Sequence, residues 1–250
     1  MTRDFSLAIF KELLEEISKK YIAAPFADYI TQKKGNVLIL RHDIDAKKEN
    51  ALLTAKIEYE LGLKGTYYFR VVPQSFDKKL ITQIAELGHE IGYHYEDVDF
   101  ANGDITKAID LFKVHLEMLR RLYPVKTICM HGSPLSKYDN RDLWKKFDYR
   151  DYGLIGEPYF DLDFGEFLYL TDTGRRWNGT DVSVRDKVKS AFNFNFNTTF
   201  DIIRSVEKLP FKAMFTFHPQ RWEDNYLQWT KELIFQNIKN TVKKYYYVKR

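Results

Sequence analysis

Short β-rich runs alternate with helical segments along most of the chain, and this alternation predicts an α/β fold with a parallel sheet or barrel. Two further observations agree. Glycines stand where helical segments should stop, and histidines gather at the C-terminal ends of the apolar runs, where such folds place their sites. The chain has 250 residues, 44% hydrophobic and 30% charged, with 12 glycines and 7 prolines. That composition excludes a disordered, collagen-like or low-complexity protein.

The first strand is expected at Val37–Leu40. A helix follows over Asn50–Leu61, with Leu52, Ala55 and Tyr59 at helical spacing and Gly62 as its cap. Thr66–Phe69 reads as a strand, Asp77–Leu87 as a helix closed by Gly88, and Ile91–Tyr95 as a third strand. Ile105, Ala108, Ile109, Phe112, Leu116, Leu119 and Tyr123 lie along one face of a strong amphipathic helix. Thr127–Met130 is a fourth strand. Beyond Pro134 the rhythm loosens: Leu168–Leu170 and Ala213–Phe217 read as strands, Thr199–Val206 and Trp222–Lys239 as helices, and Ser136–Asn197 as a region of ordered loops. No linker or repeat divides the chain, so one domain is expected over residues 1–250.

Several function classes drop out. The longest stretch free of Asp, Glu, Lys and Arg runs only from Ser190 to Phe200, far short of the roughly 20 residues that span a bilayer. The opening MTRDFSLAIFKELLEEISKK interrupts its apolar residues with charges, unlike a secretion signal, and a cytoplasmic location is expected. Cys129 is the single cysteine, which fits a reducing compartment. Lys and Arg (39) barely exceed Asp and Glu (35), a net charge of +4 that argues against nucleic acid. The tail KKYYYVKR, Lys243 to Arg250, interleaves basic and aromatic residues as single-strand binders do, but chain ends are commonly just solvated. Aromatic residues reach 16%, and most are expected to pack.

The chemistry collects around four of the six histidines. His42, His94, His131 and His218 each stand at or just past the end of an expected strand, so the four could meet on one face. Arg41-His42-Asp43-Ile44-Asp45 is the densest cluster. In an extended chain Asp43 and Asp45 point the same way, and two close carboxylates repel unless a cation or a shared proton relieves them. This suits a metal ligand beside a general base, with helix caps or arginine partners as the plainer alternative. Near His94, Glu96 and Asp97 add hard oxygens to a borderline-soft nitrogen, a mixture that suits zinc or a similar divalent ion. His131 and His218, each followed by turn-forming residues, could be general acid, ligand or substrate contact. His89 and His115 read as structural, Cys129 as a core residue, and Ser133 lacks the glycine frame of a nucleophile elbow.

The order strand, HDID, amphipathic helix, TYYF, helix, LGHEIGYH and a late strand ending in TFHP resembles the NodB-homology polysaccharide deacetylases, the carbohydrate esterase 4-like superfamily. Within them it is most similar to the WbmS-like branch found with surface-polysaccharide genes. ILRHDID (Ile39 to Asp45), LGHEIGYHYED (Leu87 to Asp97) and FTFHPQRW (Phe215 to Trp222) carry the resemblance, which spans nearly the whole chain. It implies a distorted (β/α)7 barrel with an N-terminal helical extension over about residues 1–35. It also implies a divalent metal, zinc, and hydrolysis of an N-acyl group, acetyl in most members, from an amino sugar of surface-polysaccharide precursor metabolism.

Position by position, the resemblance makes Asp43 the general base and His218 the general acid. Ile44 occupies the family's metal-aspartate position, so Asp45 would take that role from one residue further on, and His94 matches the first metal histidine. Val98 stands where the second belongs; a third ligand could come from Asp97, Glu96 or His131, the last replacing a family arginine. Asp172, Arg175 and Trp177 in LTDTGRRW match a motif that supports the site. Arg41, Arg70, Tyr95, Glu96, Glu157 and Trp222 are expected at the amino-sugar or glycan substrate. Two alternatives remain open: a non-catalytic sugar-binding protein in which Tyr93, Tyr95 and Trp222 stack on a ring, and a glycoside hydrolase pairing Asp43 with Glu157.

Overall fold

Period-two alternation along β2 (Val37–Ile44) sets the architecture. All eight of its residues are buried. Val37 and Ile39 pack with Phe26, Phe164 and Met214, whereas Leu38 and Leu40 pack with Phe10, Leu13 and Phe215. Both faces of the strand are therefore covered, as expected at the centre of a parallel sheet. The computed structural model describes residues 3–32, 35–133, 136–177 and 188–243. The expected basic-aromatic tail, apart from the backbone of Lys243, lies outside them, as does Pro134.

On one side β2 pairs in parallel with β3 (Thr66–Phe69), β3 with β4 (Glu90–Tyr95), and β4 with β5 (Ile128–Met130). On the other it pairs with β7 (Lys212–Phe217), which pairs with β6 (Leu168–Thr171). A two-residue β1 (Ile22–Ala23) joins the start of β2. The result is a curled parallel half-barrel, ordered β5-β4-β3-β2-β7-β6 and compatible with a (β/α) barrel. Beyond β5, Thr127 bridges to Gly156 in parallel, continuing the curl by one step.

The helices α3 (Lys48–Glu60), α4 (Lys78–Glu86), α6 (Ile105–Arg120) and α8 (Thr199–Ser205) lie close to their expected bounds, and the one-turn helices α5 (Asp97–Phe100) and α7 (Pro158–Asp161) fall between them. Asp77 and Asp104 cap α4 and α6 through backbone N–H groups of the first turn. The N-terminal extension consists of α1 (Leu7–Ser18) and α2 (Phe26–Gln32), with β1 between them. Three expectations need correction. β2 runs four residues past Leu40, so the Arg41-to-Ile44 cluster lies within the strand and its side chains alternate in direction. The last helix, α9 (Tyr226–Lys243), starts after Trp222, which follows a 3-10 turn at Pro219–Arg221. In α3 the buried face is Asn50, Ala51, Thr54, Ala55 and Glu58, while Tyr59 is exposed.

Inside the curl the lower layer is polar and closed. The Glu90 carboxylate accepts from Thr66 Oγ1 at 2.8 Å, from Thr127 Oγ1, and from the Ala27 backbone N–H in the first turn of α2 at 2.9 Å. Burial nevertheless pushes Glu90 above the usual carboxylate range. Tyr68 fills the space beside it, and Gly92 on β4 makes room: a Cβ there would meet the Tyr68 ring at 2.3 Å and Thr127 O at 3.0 Å. Gly92→Ala should therefore destabilise the fold by about 1–3 kcal/mol through overpacking, read as a lower urea midpoint at unchanged m-value.

Candidate metal centre and active site

Inward-facing positions at the C-terminal ends of the strands build the site. Arg41 and Asp43 sit on the same face of β2 and form a fully buried two-point ion pair, Arg41 Nε to Asp43 Oδ1 at 2.8 Å and Nη2 to Oδ2 at 2.6 Å. Burial alone would raise Asp43, but the Arg41 guanidinium outweighs it and holds the carboxyl below its ordinary range. Arg41 Nη1 also reaches Tyr159 Oη at 3.2 Å, and the guanidinium stands 5.1 Å from that ring's centre.

Above this pair, Asp45, His94 and His131 converge. His131 Nδ1 stands 3.1 Å from Asp45 Oδ1 and 3.2 Å from His94 Nε2, and His94 Nε2 stands 3.5 Å from Asp45 Oδ1. With bonds of about 2.0 to 2.1 Å, two ligands of a tetrahedral zinc stand roughly 3.3 to 3.4 Å apart. These three donors could hold a metal ion. Two further features fit one. His94 Nδ1 lies 2.9 Å from the Cys129 carbonyl oxygen; donating there leaves the Nε2 lone pair facing the cluster. Asp45 Oδ1 is buried and, although both rings stand close, makes no well-aligned hydrogen bond among the described residues. Burial pushes the Asp45 carboxyl up, yet the His131 and His94 rings prevail and hold it well below the usual value. Asp43, His94 and Cys129 form a second possible group. It shares His94, and both of its carboxylate oxygens are engaged by Arg41, so the Asp45 group fits a cation better.

Facing the cluster from β7 is His218, its Nε2 3.8 Å from Asp45 Oδ2. Its Nδ1 lies 2.5 Å from Asp172 Oδ1. Arg221 Nη1, which can only donate, stands 2.8 Å from the same nitrogen but already meets Asp172 Oδ1 at 2.6 Å and Asp172 O at 2.7 Å; with the carboxylate closest to it, Nδ1 is assigned the proton, which leaves Nε2 facing the cleft. Asp172 also accepts from the His218 backbone N–H, from Arg221 Nη1 and from Trp222 Nε1. Burial raises Asp172, but Arg221 and His218 outweigh it and keep it low.

Other expected site residues lie elsewhere. His42 alternates away from Asp43, stacks on Tyr67 at 4.1 Å and pairs with Glu58 at 2.6 Å on the helix side of the sheet. Of the open choices for the third ligand, His131 is the one at the cluster. Asp97 turns to Tyr93 Oη (2.7 Å) and His115 Nδ1 (2.6 Å) instead, and Glu96 receives both Arg70 bonds at 2.7 Å. Val98 is buried in the core. Tyr93, Tyr95 and Trp222 are fully buried rather than lining the cleft: outward positions of β4 point Tyr93 and Tyr95 toward Phe112, and Trp222 packs among Phe5, Phe10 and Phe217. Glu157 is likewise enclosed. It accepts from the Met130 and Tyr159 backbone N–H groups, and burial pushes it up to about 7. Arg175 and Trp177 serve the frame: Arg175 Nη1 donates to Trp229 O, and Trp177 Nε1 to Thr199 Oγ1. His89 is structural as expected, its ring between Gly65 N and Ala55 O.

A cavity of about 570 Å³ opens over Asp45, His131 and His218 and is walled on its far side by α9. A second, about 460 Å³, shares Ser133 with it and is lined by Glu96, Asp99, Asn102 and Tyr138. Among the described residues no helix is long and apolar enough to cross a membrane. Neither the protein-family models nor the curated proteins contain a match to this chain.

Two outcomes follow from this geometry. Zinc titrated calorimetrically into the protein should bind at one site, and Asp45→Ala or His131→Ala should weaken it by at least about tenfold. Arg41→Ala, which leaves Asp43 charged and unpartnered in the interior, should cost about 3–5 kcal/mol in chemical denaturation.

Proposed function

We propose that the protein is a metal-dependent hydrolase that removes an N-acyl group from an amino sugar, built as a distorted (β/α)7 barrel of the NodB polysaccharide deacetylase type. The observation that carries this reading is the convergence of Asp45, His131 and the Asp172-supported His218 on the lining of one cavity, with His94 and, 3.8 Å from it, the Arg41-supported Asp43 buried against them. Asp45, His94 and His131 would hold the ion, zinc by the chemistry of its donors. A divalent ion bound there supplies a Lewis acid for the amide carbonyl and lowers the pKa of water.

The chain's own groups divide the proton traffic. Asp43 stays ionised at neutral pH because of Arg41 and accepts the proton of the attacking water, with the guanidinium fixing the carboxylate plane. His218, oriented by the Nδ1–H bond to Asp172, donates from Nε2 to the departing amine when both ring nitrogens are protonated. The water oxygen bonds to the acyl carbon, the C–N bond breaks, and the products are a carboxylate and a free amino sugar. Asp99, Asn102 and Tyr138 offer hydroxyl partners and an aromatic face on the side away from α9.

The test is release of free amine from a panel of N-acylated amino sugars, free, nucleotide-linked and lipid-linked, measured together with bound metal. Asp43→Asn and His218→Gln should each lower kcat by about 10²-fold or more with the metal retained. No metal at the Asp45 group together with no amine release across the panel would sink the reading.

A further inference from the structure

Helix α9 buries polar side chains while it leaves apolar ones open. Its enclosed positions are polar: Gln236 Nε2 donates to Asn240 Oδ1 at 2.9 Å, and Asn240 Nδ2 donates to Gly174 O at 2.7 Å. Four apolar side chains stand open instead: Ile234, Phe235, Ile238 and Val242 are 45 to 57% exposed, among the exposed polar residues Lys231, Asn237, Lys239 and Thr241. A helix on a globular surface ordinarily shows the opposite arrangement. Nor can this helix roll to hide its apolar side. Arg175 donates to Trp229 O at 2.8 Å and lies 4.5 Å from that ring's centre, and Glu232 pairs with Lys47 at 3.0 Å.

The apolar side does not face open solvent alone. Phe235, Ile238 and Val242 wall the same cavity of about 570 Å³ whose opposite wall carries Asp45, His131 and His218. Glu232, Gln236 and Lys239 share that wall with them, whereas the cavity on the other flank of the cluster, with Glu96, Asp99, Asn102 and Tyr138, has no aliphatic side chain in its lining. An N-acyl amino sugar centred on the cluster has two arms of unlike chemistry, a polyol ring and an acyl chain. The polyol fits the polar flank, which leaves the chain for α9.

We propose that the acyl group removed at this site is an aliphatic chain longer than acetyl, laid along Phe235, Ile238 and Val242 with its carbonyl at Asp45, His94 and His131. The inference rests on the hydrolase reading above and deepens it. Hydrolysis adds water across the amide C–N bond, releasing the chain as a fatty carboxylate and leaving the sugar amine with the proton.

Hydrolysis-resistant N-alkylsulfonyl glucosamines, methyl to octyl, test it by calorimetric binding to the full-length protein. Affinity should rise about threefold per methylene over the first few carbons. Ile238→Ser and Phe235→Ser, both at exposed positions that do not threaten the fold, should each shrink the octyl-to-methyl affinity ratio by about tenfold. Flat affinities across the series overturn the inference. So does a gain that follows an octyl chain moved to the glycosidic oxygen, which would give the face to a lipid aglycone. A dimer in sedimentation that Ile238→Ser breaks would give it to a second copy and overturn it as well. Because binding is read without turnover, flat affinities beside measurable amine release sink this inference alone. Chain-dependent affinities without amine release sink the hydrolase reading and support the chain site.

Discussion

The buried Arg41–Asp43 ion pair is the contact around which the rest of the site is arranged. Two charges removed from water cost several kcal/mol each, and their attraction compensates only when geometry and further hydrogen bonds are good. Here both carboxylate oxygens meet the guanidinium, and the remaining guanidinium nitrogen reaches Tyr159. The pair needs a strand that turns alternate residues inward, a curl that closes over them, and the one-turn helix Pro158–Asp161 that delivers Tyr159. With those in place, Asp43 is locked at one depth, and Asp45, two residues on, emerges where β4, β5 and β7 end.

Convergence then follows from parallel strands. Inward residues at or just past the strand ends meet their neighbours around the curl, which is why His94, His131 and His218 surround Asp45 although they lie far apart in the chain. The same alternation separates residues that look equivalent in sequence. His42 stands between Arg41 and Asp43 yet belongs to the helix layer, where Glu58 and Tyr67 hold it. His131 reaches the cluster from the end of β5, whereas Val98 is packed into the hydrophobic core.

The aromatic residues divide between two tasks. Phe5, Phe10, Trp177, Phe217 and Trp222 knit the N-terminal helix to the outside of β7, and Trp222 reaches through that cluster to hold Asp172. Trp222 therefore supports His218 from behind, in place of lining a cleft. Among the described residues, Phe235 is the aromatic that combines exposure with a place on the main cavity wall.

Read alone, the sequence determined the parallel α/β character, nearly every strand and helix flanking the site, and the positions of His94, His131, His218, Asp43 and Asp45 at strand ends. These are local signals: periodicity, glycine caps and polar residues closing apolar runs. The tertiary structure decided the direction of each side chain and hence its partners. Asp97, Glu157, Tyr95 and Trp222 carry chemistry suited to a site, but strand length and register turn them into the interior, where backbone N–H groups and neighbouring side chains consume their polar atoms. It also decided that α9 keeps an apolar side outward, because Asn240, Trp229 and Glu232 bind partners more than 50 residues away in sequence, which no local pattern encodes.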